Sequence, residues 1–158
     1  MKINSFFKLV LSIVPPLALG AIAGIITSKA IPDWYVTLNR PSFNPPNWLF
    51  APVWTTLYVI MGISFFMIWQ FPASPAKTKA VRIYVVQLGL NFLWSFLFFY
   101  FKNMGLALIE IAILWLSIAV MLRLFYKIKP LASYLNVPYI LWVSFATILN
   151  AAYYILNH

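Results

Sequence analysis

Between Trp34 and Gly62 the chain gathers three tryptophans (Trp34, Trp48, Trp54), two tyrosines (Tyr35, Tyr58) and four prolines (Pro41, Pro45, Pro46, Pro52). Indole and phenol rings stack on flat apolar molecules. Both are also electron-rich enough to donate an electron to a ring in an excited state. Each proline fixes φ and removes a backbone donor, and pushes the residue before it away from the helical region. The stretch is therefore stiff and irregular at once. It reads as a pre-shaped lid over a pocket for something flat and apolar.

Polar residues inside long apolar runs extend this pattern. Gln87, Asn91 and Ser95 recur every four residues and form one helical stripe, with Trp94 three residues beyond Asn91. Tyr139, Trp142, Ala146, Asn150 and Tyr153 follow at steps of three and four, again one face. Trp54, Thr55 and Tyr58 lie just after the lid. The three sets are expected to face each other. Gln87, Asn91 and Asn150 serve either as ligand-facing groups or as interhelical hydrogen bonds worth about 0.6–2 kcal/mol each. Trp54 and Trp142 are either pocket walls or core and interfacial-belt residues. Trp69 and Trp115, with no polar stripe beside them, read as packing.

Other chemistry is excluded by inventory. The chain has no cysteine, so it offers no disulfide, thiolate metal site or cysteine nucleophile. Its sole histidine is His158, its only acids Asp33 and Glu110. That leaves no carboxylate pair, no serine triad, no histidine haem ligation, and no metal or cofactor site to expect. Walker, dinucleotide and HExxH motifs are absent. Glu110 is the one intramembrane acid, by default a functional candidate. About two turns from a short loop, it is expected to reach the interface or pair with Lys102.

The elements that position these groups follow from composition. The 158 residues are 64% hydrophobic and only 8% charged, against about 25% charged in a soluble domain. This is an all-α membrane protein, a single domain over 1–158. Five runs meet the requirement of about 20 residues for a span: 6–28, 47–70, 80–101, 105–127 and 132–156. They predict a five-transmembrane-helix bundle with a long Pro/Trp-rich loop between helices 1 and 2. The first run is too long for a leader's apolar core and predicts a spanning helix. Phe71 to Lys79 reads as a breaker-rich linker. Pro15-Pro16 should kink the first helix, and Pro138 lies near the start of the fifth, where a lost donor costs little. Gly20-Ala-Ile-Ala-Gly24 is a small-xxx-small motif that allows close helix approach.

The net charge of +9 points to anionic lipid at helix ends rather than to nucleic acid. Eight basic residues (Lys2, Lys8, Lys77, Lys79, Arg82, Arg123, Lys127, Lys129) share the N-terminal side, and three (Lys29, Arg40, Lys102) the other. The positive-inside rule then puts the N-terminus in the cytoplasm, with the aromatic loop and the C-terminus outside.

The strings Trp34-Tyr35-x-x-Leu38-x-Arg40-Pro41-x-Phe43-x-Pro45-Pro46 and Phe50-x-Pro52-Val53-Trp54-Thr55-x-Leu57-Tyr58-x-x-Met61-Gly62 resemble the signature of the TspO/MBR family. These are the bacterial tryptophan-rich sensory proteins and the mitochondrial translocator protein, or peripheral benzodiazepine receptor. Gln87-Leu88-x-Leu90-Asn91-x-x-Trp94-Ser95-x-x-Phe98-Phe99 and Pro138-Tyr139-x-x-Trp142-x-x-Phe145-Ala146-x-x-Leu149-Asn150 are similar to its third-helix and fifth-helix motifs. The resemblance covers nearly the whole chain. It implies a five-helix bundle, usually a homodimer, in a bacterial cell membrane, whose first loop closes a porphyrin (tetrapyrrole) pocket. It implies Tyr35, Trp54, Asn91, Trp94, Ala146 and Leu149 as ligand-binding residues. Trp34 and Trp142 become the candidates for reaction with an excited porphyrin. Isoquinoline-carboxamide and benzodiazepine drugs would share the pocket. The tail Tyr153-Tyr154-Ile155-Leu156-Asn157-His158 lacks the basic residue of the mitochondrial sterol-associated pattern, which weakens a sterol reading.

Three functions then compete. The first is binding of a porphyrin such as protoporphyrin IX with light- and oxygen-dependent breakdown, possible without any metal or organic cofactor. The alternatives are a transporter or shuttle of tetrapyrroles or similar amphiphiles, and a ligand-responsive sensor or scaffold.

Overall fold

The computed structural model describes residues 4–158; Lys2, counted above on the basic side, lies outside them. Five helices are long and apolar enough to cross a membrane. Helix α1 runs Ser5–Asp33, and a single tight turn follows at Tyr35–Thr37. Helix α2 spans Asn47–Trp69 and α3 Pro75–Ser95, the latter continued by a wide, π-type turn at Phe96–Tyr100. Then come α4 at Met104–Ile128, the short α5 at Pro130–Tyr134, and α6 at Val137–Leu156. Helix α1 packs on α2, α3 on α4, and α4 on α6.

Three boundaries differ from the sequence expectation, each at a proline. The first helix continues past 28 to Asp33 and includes Pro32. Pro32 falls in the last turn, and the Trp34 amide still bonds Ala30 O at 3.0 Å. The expected linker at Phe71 to Lys79 is already helical from Pro75. There proline occupies the first turn, where no donor is needed, and the Ser74 side chain caps it by accepting from the Lys77 amide at 3.2 Å. The fifth span is split before Val137. Pro138 begins the second piece as anticipated, while Asn136 Nδ2 donates to Ala132 O at 2.8 Å and to Ser64 Oγ. Pro15 and Pro16 leave α1 helical throughout.

The α3–α4 connection is tight. Lys102 takes a left-handed backbone, φ 54°, to reverse the chain, and Asn103 caps α4 by accepting from the Leu106 amide at 2.9 Å.

A close helix approach outside the small-xxx-small motif occurs at Gly62. A Cβ on Gly62 would lie 2.6 Å from Ile13 Cα and 2.8 Å from Ser12 O. Gly62 therefore lets the α1 and α2 backbones touch. Gly20 faces the Tyr58 ring, while a Cβ on Gly24 would meet nothing within 4 Å. Two apolar clusters fill the bundle. The larger holds Tyr58, Met61, Leu88, Ile111, Tyr139 and Val143. The smaller, under the first loop, holds Tyr35, Phe98, Met104, Ala107, Leu149 and Tyr153.

Candidate ligand site beneath the first loop

The polar stripes of α3 and α6 meet at mid-bundle. Tyr58 Oη donates to Asn91 Oδ1 at 2.6 Å, and Asn91 Nδ2 donates to Tyr139 Oη at 3.1 Å. Tyr139 in turn donates to Gln87 Oε1 at 2.8 Å. All four side chains are buried. A bilayer core offers no water to such groups, so the chain must satisfy them itself. For Gln87 and Asn91 the structure thus shows interhelical bonds joining α2, α3 and α6. Asn150 is used likewise: it accepts from Trp94 Nε1 at 3.1 Å and donates to Met104 O at 2.9 Å.

The rings order themselves around this network. Trp54 stacks on Tyr58 at 5.6 Å and meets Tyr139 edge-on at 6.4 Å. Trp94 stacks on Phe98 at 5.2 Å, and Trp34 meets the same Phe98 edge-on at 5.6 Å. Trp142 lies against Phe50 at 6.1 Å and Phe145 at 5.5 Å. Its Nε1 is buried and makes no hydrogen bond. Leu149 sits in the cluster beneath the loop. Ala146 packs half-buried on the deeper one. An apolar groove of about 650 Å³ separates α2 from α6, with Trp48, Pro52 and Thr56 on one wall and Leu141, Trp142 and Phe145 on the other.

The loop is fastened at two points. Tyr35 Oη donates to Asn44 Oδ1 at 3.0 Å, and Tyr153 Oη lies 2.7 Å from Tyr35 Oη and 3.0 Å from the same Asn44 oxygen. Burial, then the bond from Tyr153, pushes the Tyr35 phenol far above its ordinary range, so it stays a neutral donor. At the C-terminal end the Asn39 amide donates to Asn157 Oδ1 at 2.9 Å, and Asn157 Nδ2 donates to Asn39 O at 3.1 Å. Phe43 rests edge-on against Phe145 at 6.3 Å. Asn157→Ala together with Tyr153→Phe removes the side-chain hydrogen bonds by which the end of α6 holds the loop, leaving Asn39 Nδ2 to Leu156 O at 3.3 Å. The pair is expected to raise the dissociation rate of a bound ligand at least five-fold, read by stopped-flow displacement. An unchanged rate would show that the loop does not gate the site.

Several expectations fail here. Thr55 is exposed and its hydroxyl turns back to Ala51 O at 2.8 Å, so it leaves the Trp54–Tyr58 face. Trp115 is not mere packing, since its Nε1 donates to Ser144 Oγ at 2.7 Å. Glu110 does not pair with Lys102: it is 6% exposed, and neither carboxyl oxygen has a hydrogen-bond partner among the described residues. Asn44, Asn39 and Asn157 were missed because their partners are remote in sequence. Asparagine beside proline in a stiff loop was the one available hint.

Residues 12–156 match the TspO/MBR family. The tryptophan-rich protein TspO of Archaeoglobus fulgidus is 41% identical over 155 residues, covering 97% of this chain and 99% of the relative. The tryptophan-rich sensory protein of Cereibacter sphaeroides is 37% identical over 118 residues, 75% and 73% of the two chains. The human translocator protein is 35% identical over 127 residues, again 79% of this chain and 75% of the relative. With the apolar five-helix bundle, the aromatic loop and these likenesses in agreement, the chain belongs to the TspO/MBR family of integral, multi-pass membrane proteins.

Proposed function

We propose that the protein binds a tetrapyrrole such as protoporphyrin IX beneath the first loop and promotes its light- and oxygen-dependent breakdown. One observation carries this reading: Trp142 stands in the wall of an apolar groove with a buried indole N–H that no group among the described residues accepts. A flat ring sliding between α2 and α6 would contact that indole, Phe145 and the Trp48 ring. Tyr35, Trp54, Asn91, Trp94, Ala146 and Leu149 do not line that groove; in this reading they contact the ring on its inner side, and isoquinoline-carboxamide and benzodiazepine ligands share the site. Light excites the bound ring, an indole gives it an electron, dioxygen adds to the resulting ring radical anion, and the electron returns to the indole radical cation, so that both oxygen atoms end on the oxidised ring and the indole is restored. The chain acts as a homodimer in a bacterial cell membrane, its basic end toward the cytoplasm and its first loop outside.

A shuttle role has one point in its favour, the lateral opening of the same groove toward the acyl chains. It would let an amphiphile exchange with the bilayer without passing the loop. Absorbance of protoporphyrin IX with the protein in detergent separates the two. A dark Soret shift followed by protein-dependent bleaching over several turnovers is expected. A shift without faster bleaching would reject breakdown and favour carriage or sensing.

A further inference from the structure

We propose that Glu110 is a ligand-contacting residue, whose carboxyl accepts a hydrogen bond from an N–H or O–H donor of the tetrapyrrole held in the bundle. This rests on the tetrapyrrole reading given above. Glu110 shares the inward face of α4 with Ala107, Ile111 and Leu114. Ala107 belongs to the cluster under the loop, and Ile111 and Leu114 to the deeper one. The carboxyl is therefore placed at the seam between the two clusters, on the helix that packs against both α3 and α6.

The amide side chains of the α3 and α6 stripes are engaged within the bundle, while Tyr84 Oη of the deeper cluster has no partner among the described residues. On α3, Asn91 and Gln87 are taken up by Tyr58 and Tyr139; on α6, Asn150 is taken up by Trp94 and Met104 O. Glu110 is 6% exposed, and neither carboxyl oxygen has a hydrogen-bond partner among the described residues. A buried polar group left unmade costs about 1–3 kcal/mol, more if charged. An apolar side chain would fill the same place without that cost. The carboxyl is thus explained by a partner that arrives from outside the chain. A carboxyl oxygen can accept whether or not the other carries a proton, so the contact does not depend on its ionisation.

The test measures the dissociation constant of protoporphyrin IX, and of its dimethyl ester, for the full-length protein with Glu110→Gln and Glu110→Leu. The amide keeps an acceptor oxygen and should bind within three-fold of wild type. The leucine variant should weaken protoporphyrin IX at least ten-fold, while its unliganded form melts at or above the wild-type temperature. A penalty that persists with the ester assigns the donor to a ring N–H. A penalty that vanishes with the ester assigns it to a propionic O–H. Unchanged affinity in the leucine variant, or an equal loss with glutamine, overturns the proposal. Glu110→Met, unbranched and closer in length, serves the same comparison where the leucine protein does not fold. Wild-type protein that binds neither porphyrin would defeat the tetrapyrrole reading itself, an outcome distinct from binding that ignores Glu110.

Discussion

Under illumination, the Trp34→Phe/Trp142→Phe protein is expected to retain the dark Soret shift of protoporphyrin IX and to bleach it no faster than detergent alone. Phenylalanine keeps an aromatic face for stacking but is far harder to oxidise than indole. Binding should therefore change by less than about three-fold, a difference near 0.7 kcal/mol. The substitution at 142 leaves nothing unpaired, because the Trp142 N–H makes no hydrogen bond in the first place. Trp34 meets Phe98 only through its ring. Trp94→Phe is the informative contrast. It strips Asn150 of the donor at 3.1 Å, so it should cost about 1–2 kcal/mol of stability while leaving bleaching per bound porphyrin intact. Porphyrins lost per protein molecule would separate turnover from sacrificial oxidation of the tryptophans. Wild-type bleaching by the double variant would remove both residues from the chemistry.

Hydropathy alone made the bundle legible, since runs this apolar and this long can only satisfy their backbone as helices. The proline positions misled because proline is a breaker in a helix interior but is accommodated in a terminal turn, the last for Pro32 and the first for Pro75, and sequence does not say which turn it will occupy. The stripes of α3 and α6 were legible from their period, and their use was not. Asn91 could have pointed to a ligand or to Tyr58, and only the packing of α2 beside α3 decides it. Thr55 read as inward because it adjoins Trp54, although adjacent helical residues point about 100° apart. The loop fastenings were hidden by separation, as Asn39 and Asn157 meet across 118 positions. Glu110 was misjudged by an argument sound for long charged side chains near helix ends. It fails where the helix turns that position inward.

The second large effect concerns glycine. Gly62→Ala is expected to cost about 3 kcal/mol or to prevent recovery of folded protein, at the upper end for overpacking a tight contact. The added methyl would press on Ile13 Cα at 2.6 Å and Ser12 O at 2.8 Å. These are backbone atoms of α1, so relief requires moving a whole helix. Gly20→Ala meets a softer neighbour, the Tyr58 ring at 2.3 Å. That ring is held by its bond to Asn91 and by its stacking on Trp54, so the cost should be intermediate and accompanied by weaker ligand binding. Gly24→Ala meets nothing within 4 Å and should be neutral or slightly stabilising, since alanine is favoured over glycine in a helix by up to about 1 kcal/mol. Thermal unfolding of the three variants in one detergent checks the order. A Gly62→Ala protein that melts with wild type would refute the backbone contact.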